Sequence, residues 1–185
     1  MEQEKNVQSS RAEIYDWIQS VLAALIACVL IFVFLARMVN VDGRSMYPTL
    51  NDGDKIIISN LFYTPKQGDI VVLRKDAFMN DPIVKRVIAV GGQKIDIDFD
   101  TGIVYVDNVA LKEDYVNELT YDRENFEGPV TVPEGSIFVM GDNRNESTDS
   151  RYATLGCVDT RYVMGRVYCT VFPIKNMEWN AKNPY

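Results

Sequence analysis

The chain has 185 residues, 47% of them apolar and 24% charged, with a formal net charge of −7 and no histidine. That length fits one medium domain with an anchor, or two small domains, and the apolar share is ample for a core. The acidic balance argues against a nucleic-acid partner, and the missing histidine excludes a Ser-His-Asp triad, a Cys-His pair and His-ligated metals.

Residues 1–16 are polar and mixed in charge and read as a short cytoplasmic or disordered tail. From Val21 to Ala36 the only polar side chain is the thiol of Cys28. Taken as 17–39, this stretch would form a helix ~35 Å long, enough to cross the ~30 Å hydrocarbon core, with Trp17 and Arg37 as interfacial anchors. A cleavable leader would be basic at its start and have a short apolar core. Here Lys5 and Arg11 are outnumbered by Glu2, Glu4, Glu13 and Asp16. A buried helix of a soluble protein would carry an apolar stripe rather than an apolar surface all round. A single uncleaved transmembrane helix is the expectation. Its direction stays open, because Lys5 and Arg11 on one side are matched by Arg37 and Arg44 on the other.

Beyond the anchor, over 40–185, the pattern changes to period two and β-branched runs. Strands are expected at 55–59, 69–74, 83–90, 94–99, 103–106, 137–140 and 162–172. Dense turn signals separate them, among them Asn51-Asp52-Gly53, Gly91-Gly92 and Pro133-Glu134-Gly135. No helical period follows the anchor. The expected fold is therefore mainly β, a coiled antiparallel β-sheet domain behind one N-terminal transmembrane helix. The acidic segment 107–135 reads as a loop or small β excursion with a solvated face and no catalytic role. Cys28 reads as apolar filler, and Cys157 and Cys169 lack metal-ligand spacing. A bridge between the last two stays open, with free thiols the expectation.

Three stretches could carry chemistry. In residues 43–50, Pro48 fixes its own φ and biases Tyr47 away from helix, so Ser45 sits on a constrained backbone. The commoner fate of such a residue is a plain turn serine. On a strand over 83–90, Lys85 and Arg86 point to opposite, equally apolar faces. Burying them is costly unless each is paired or neutral; lysine can lose its proton but arginine cannot. Lys85 is thus either a neutral amine or a side chain snorkelling to solvent, and Arg86 needs a carboxylate. The run 141–151 packs Asp142, Arg144, Ser147, Asp149, Ser150 and Arg151 into one connection. Its charges could stiffen the loop, and its hydroxyls could hold a neutral amine. Without histidine, a nucleophilic serine here requires another proton acceptor, and lysine is the main documented one.

Ser45-Met46-Tyr47-Pro48-Thr49, Gly68-Asp69-Ile70-Val71-Val72, Lys85-Arg86-Val87 and Gly141-Asp142-Asn143-Arg144 with Ser147, Asp149, Ser150 and Arg151 follow one another in this order behind the anchor. In this the chain resembles the bacterial type I signal peptidases over residues 17–173, and its short length and single anchor are similar to the Gram-positive form. The resemblance implies a membrane-bound Ser-Lys dyad endopeptidase. It would remove signal peptides from exported preproteins on the outer face of the cell membrane, its N-terminus cytoplasmic, near the Sec export machinery. By matching position, Ser45 is the nucleophile and Lys85 the general base. Ser147 would hydrogen-bond and orient the lysine, Asp142, Asp149 and Arg151 would buttress the site, and Arg86 would pair with Asp142. Gly43 stands where some Gram-negative members have a serine hydroxyl, so the oxyanion would rest on the Ser45 N–H, helped by the Gly43 N–H or water. An extended substrate would pair with strand edges near 39–43 and 81–84. Pockets lined by Val41, Met46, Leu50 and Val84 would select small residues in an Ala-x-Ala pattern, and apolar groups near Met46 and Tyr47 would dip into lipid. The implied partners are signal peptides and the bilayer, with no nucleic acid and no cofactor or metal. Two other readings compete. A self-cleaving Ser-Lys repressor would carry a basic N-terminal helix-turn-helix in place of the anchor. A membrane-tethered β adaptor would need neither Ser45 nor Lys85.

Overall fold

The computed structural model describes residues 2–35, 37–75, 78–79 and 81–174, and within the first helix the side chains of residues 13–29. Helix α1 (Glu2–Leu35) takes in the stretch expected as a tail and stops before Val39, which lies instead in strand β1 (Arg37–Asn40). Ile14, Trp17, Leu22, Leu25 and Val29 of α1 are all exposed. Among the described residues no helix is long and apolar enough to cross a membrane. The expected span continues through residues 30–36, whose side chains lie outside the described ones.

From β1 onward the chain is mainly β, as expected. The strands are β2 (Lys55–Ser59), β3 (Ile70–Leu73), β4 (Ile83–Val90), β5 (Lys94–Asp98), β6 (Ile103–Val106), β7 (Val109–Ala110), β8 (Val130–Thr131), β9 (Ser136–Met140), β10 (Val158–Asp159) and β11 (Val163–Phe172). Local pattern explains the longer ones. In β5 the isoleucines Ile95 and Ile97 turn inward while Lys94 stays in solvent, the alternation of a half-buried strand. The run Ile83–Val90 has no alternation because both of its faces are covered: Val87 joins one apolar cluster and Ile88 another. β1 overlaps the strand edge expected near 39–43, and β7 and β8 lie in the stretch expected as a loop or small β excursion. The two-residue β10 is too short to show a period and has no counterpart among the expected strands.

Two antiparallel sheets result. A seven-stranded sheet runs β1-β2-β11-β3-β4-β9-β10, and a four-stranded sheet runs β7-β6-β5-β8. Segment 107–135 therefore supplies two short strands of the second sheet and the loop between them. The register around β4 positions the site. β3 pairs with Ile83 through Arg86, whereas β9 pairs only with Arg86 through Val90, its last residue Met140 facing Arg86. On the β9 side, Ile83, Val84 and Lys85 have no ladder partner. There the chain leaves β9 at Gly141 and enters the polar run noted above.

Candidate active site

The loop between β1 and β2 is closed at its base by Val41 N–H donating to Asp54 O (2.8 Å) and Gly53 N–H donating to Val41 O (2.9 Å). Inside it, Tyr47 N–H bonds Arg44 O (3.0 Å) and Leu50 N–H bonds Met46 O (2.9 Å), which turns the chain tightly after Ser45. Met46 and Leu50 are buried in a cluster with Val41, Ile56, Ile58 and Val84, and so hold the loop on the sheet. These include the four side chains expected to line substrate pockets, and they do lie together. Val84 is the most open of the four, at 9% exposed.

Gly43 has φ +88°, a conformation L side chains rarely adopt, which gives a backbone reason for glycine at this position. Its N–H donates to Asp52 Oδ1 at 2.8 Å. The expectation that this group helps bind an oxyanion is corrected here, since a donor already engaged by a carboxylate is not available to one. No acceptor among the described residues takes the Ser45 N–H.

Lys85, on β4, places Nζ 2.6 Å from Ser45 Oγ and donates to it. Only 3% of Lys85 is exposed, so it does not snorkel. Burial pushes the amine down from its ordinary 10.5 to about 8, against an upward pull from Asp149; Arg151 pushes down and Asp142 pulls up more weakly. On the other face of the strand Arg86 finds its carboxylate. Its Nε and Nη2 bond the two oxygens of Asp142 at 2.8 and 2.6 Å, and Nη1 bonds Gly68 O at 2.9 Å. Thr49 Oγ donates to Asp142 Oδ2, which ties the serine loop to the same carboxylate.

The run after β9 is packed rather than solvated. Asp149 accepts from Gly141 N–H (3.1 Å) and is bridged by Arg151 Nε (2.9 Å) and Nη2 (2.9 Å). Asp142, Asp149 and Arg151 are all buried. Ser150 Oγ accepts from Val139 N–H at 3.0 Å. Ser147 lies close by, but its Oγ is buried without a hydrogen-bond partner, and the expected bond to Lys85 is not formed. Ser147 instead packs on Gly141. A Cβ added there would overlap both the Ser147 side chain and the Ser45 carbonyl oxygen. Among the described residues no group of three or more His, Cys, Asp or Glu could hold a metal ion, and Cys157 and Cys169 are free thiols.

Several supporting residues were not found by reading the sequence. Asn143 N–H donates to Ser45 O (3.0 Å) and its side-chain amide to Arg44 O (3.2 Å), pinning the nucleophile's backbone. Residues 113–122, which the sequence reading treated as a solvated acidic stretch, lie against the 141–151 run. Asn117 N–H bonds Asp142 O (3.1 Å), Asn145 Oδ1 accepts from Tyr121 N–H and Asp122 N–H (both 3.0 Å), and Arg151 Nη1 bonds Asp122 O (2.8 Å). Arg144, fully buried, holds Glu113 with Nη1 at 2.8 Å and Nη2 at 2.5 Å. The only signal in the sequence was the density of carboxylates, which usually means a wet surface.

A family model described as signal peptidase, peptidase S26, matches residues 14–172. The chain belongs to the signal peptidase family. Signal peptidase I of Bacillus licheniformis is 34% identical to it over 188 residues, covering 96% of this chain and 98% of that protein. Signal peptidase I T of Bacillus subtilis is 32% identical over 184 residues, covering 94% and 93%. The crystal structure of a signal peptidase I from Enterococcus faecalis, 31% identical, aligns with a TM-score of 0.44 over 56% of this chain and 97% of that one. Membership of the signal peptidase family makes this chain a serine peptidase that removes signal peptides.

Proposed function

We propose that the chain cuts signal peptides from exported preproteins with a Ser45–Lys85 dyad. The observation that carries this reading is the 2.6 Å approach of Lys85 Nζ to Ser45 Oγ by an amine that burial lowers to about 8. Near neutral to mildly alkaline pH a useful fraction of that amine is neutral, as a general base must be. The neutral Nζ accepts the Ser45 hydroxyl proton as Oγ attacks the scissile carbonyl carbon. The developing oxyanion is met by the Ser45 N–H. Collapse of the tetrahedral species breaks the C–N bond, and the ammonium gives its proton to the leaving amine. Lys85 then takes a proton from water as the hydroxide attacks the acyl-serine. Return of that proton to Oγ frees the signal peptide as its carboxylic acid. Arg86, Asp142, Asp149 and Arg151 move no proton; they keep Lys85 and Ser45 in line.

The substrate's extended segment pairs with the partnerless side of Ile83–Lys85 and with β1, an edge of the large sheet. The apolar cluster of Val41, Met46, Leu50 and Val84 is buried, and Val84, at 9% exposed, is the member nearest the surface there. Contact with that apolar edge favours small side chains at the first and third positions before the cut, the Ala-x-Ala pattern. The exposed apolar side chains of α1 support a single-pass anchor with the N-terminus in the cytoplasm and the β domain outside, near the Sec export machinery. The test is incubation of the chain with a preprotein followed by sequencing of the new N-terminus. The expected terminus begins immediately after an Ala-x-Ala site; an intact preprotein, or cuts after bulky residues, contradicts the proposal. Carbonate extraction should leave the chain in the membrane pellet, and its release into the soluble fraction contradicts the anchor.

A further inference from the structure

Tyr115, in the stretch that crosses the 141–151 run, stands at a junction of charges. Its ring lies 4.0 Å from the Arg86 guanidinium carbon and 6.0 Å from that of Arg144. Its hydroxyl donates to Glu113 Oε1 at 2.8 Å, on the carboxylate that Arg144 clasps with two nitrogens. Arg144 in turn donates from Nε to Gly141 O at 2.9 Å. The ring is half-buried, so it stands between solvent and the buried guanidinium of Arg86.

That guanidinium has an unusual position in the chain. It follows Lys85 directly in β4, and its partner Asp142 also accepts from Thr49, four residues after Ser45. One dry ionic junction therefore joins the segment bearing the amine to the segment bearing the hydroxyl. Charge-assisted bonds of this kind are strong while water is kept out and weaken when it enters. A cation facing an aromatic ring is held as well as shielded.

We propose that Tyr115 is a positioning residue for the reaction: its ring caps the Arg86–Asp142–Thr49 junction and so keeps Ser45 Oγ within reach of Lys85 Nζ. The assignment rests on the dyad reading above. Tyr115 touches neither reacting atom, so its loss acts on alignment rather than on substrate binding.

The test compares Tyr115→Leu and Tyr115→Phe with the wild-type full chain in detergent micelles, using one preprotein substrate and a temperature well below each variant's Tm. Tyr115→Leu keeps apolar bulk and removes the ring; kcat should fall about 30- to 100-fold with KM nearly unchanged, the scale expected of a displacement near 1 Å. Tyr115→Phe keeps the ring over Arg86 and should retain most of the wild-type kcat. A residue that only stabilises the fold would lower Tm and leave kcat per folded enzyme intact. A wild-type kcat in Tyr115→Leu overturns the proposal, as does a loss that falls on KM, or an equal loss of kcat in Tyr115→Phe. The dyad itself is read separately from Ser45→Ala in the same assay. Cleavage by that variant overturns the dyad and this assignment together, whereas its inactivity beside a fully active Tyr115→Leu overturns this assignment alone.

Discussion

Replacing Lys85 by methionine should make the fold more stable at neutral pH while abolishing activity. Lys85 is 3% exposed, and its amine is lowered from 10.5 to about 8, mostly by burial. A group that holds its proton less tightly when folded is a liability wherever the unfolded chain is protonated. That liability is complete below pH 8, shrinks as pH rises, and is gone above 10.5. The difference between the two values corresponds to roughly 3 kcal/mol. Methionine has similar length and no charge, but it also loses the bond to Ser45 Oγ, worth about 1 kcal/mol. The net expectation for Lys85→Met at pH 6 is a gain of about 2 kcal/mol, falling through zero and reversing to a small loss near pH 11. Urea titrations of the full chain in mild detergent, repeated from pH 6 to 11, measure this directly. A difference between the two proteins that does not change with pH would refute the reasoning, as would a wild-type chain that is the more stable at pH 6.

Three further outcomes follow from the same geometry. The rate constant kcat/KM should rise with pH through about 8 as Lys85 becomes neutral, then level off; a pH–rate profile flat from 6 to 10 contradicts its role as base. Asp142→Ala leaves the buried Arg86 without its counter-charge and should cost about 3–5 kcal/mol in a denaturation experiment, whereas an unchanged midpoint would mean the pair is not needed. Gly141→Ala drives a methyl group into the Ser45 carbonyl and Ser147, and cleavage assays should show a loss of about 10²-fold from displaced reactants.

The main features of the fold could be read from the residues. Strands with a clear pattern, such as Lys55–Ser59 and Ile83–Val90, have the bounds that pattern predicts. The cost of burying Lys85 and Arg86 on a strand apolar on both faces leaves Lys85 as a neutral amine or a snorkelling side chain and requires a carboxylate for Arg86. The structure buries Lys85 and gives Arg86 Asp142. What escaped notice depends on partners distant in the chain. Glu113 resembles any surface acid until Arg144 is seen buried against it, 31 residues later. Tyr115 carries no local mark of the guanidinium it covers. Gly43 was expected to offer a backbone donor, but its positive φ and its bond to Asp52 belong to loop geometry that composition does not encode. Ser147 shows the same limit. Motif position placed it beside the site, yet whether its hydroxyl meets Lys85 depends on rotamers and on the close packing at Gly141.

The pairing of Ser45 with Lys85 is the centre of this account, and one comparison tests it most directly. Wild type, Ser45→Ala and Lys85→Ala are each incubated with the same preprotein at pH 8, and the rate of signal-peptide release is followed. The wild type should release the signal peptide and neither variant detectably so, with all three folded by circular dichroism. Release at a near wild-type rate by Lys85→Ala would contradict it.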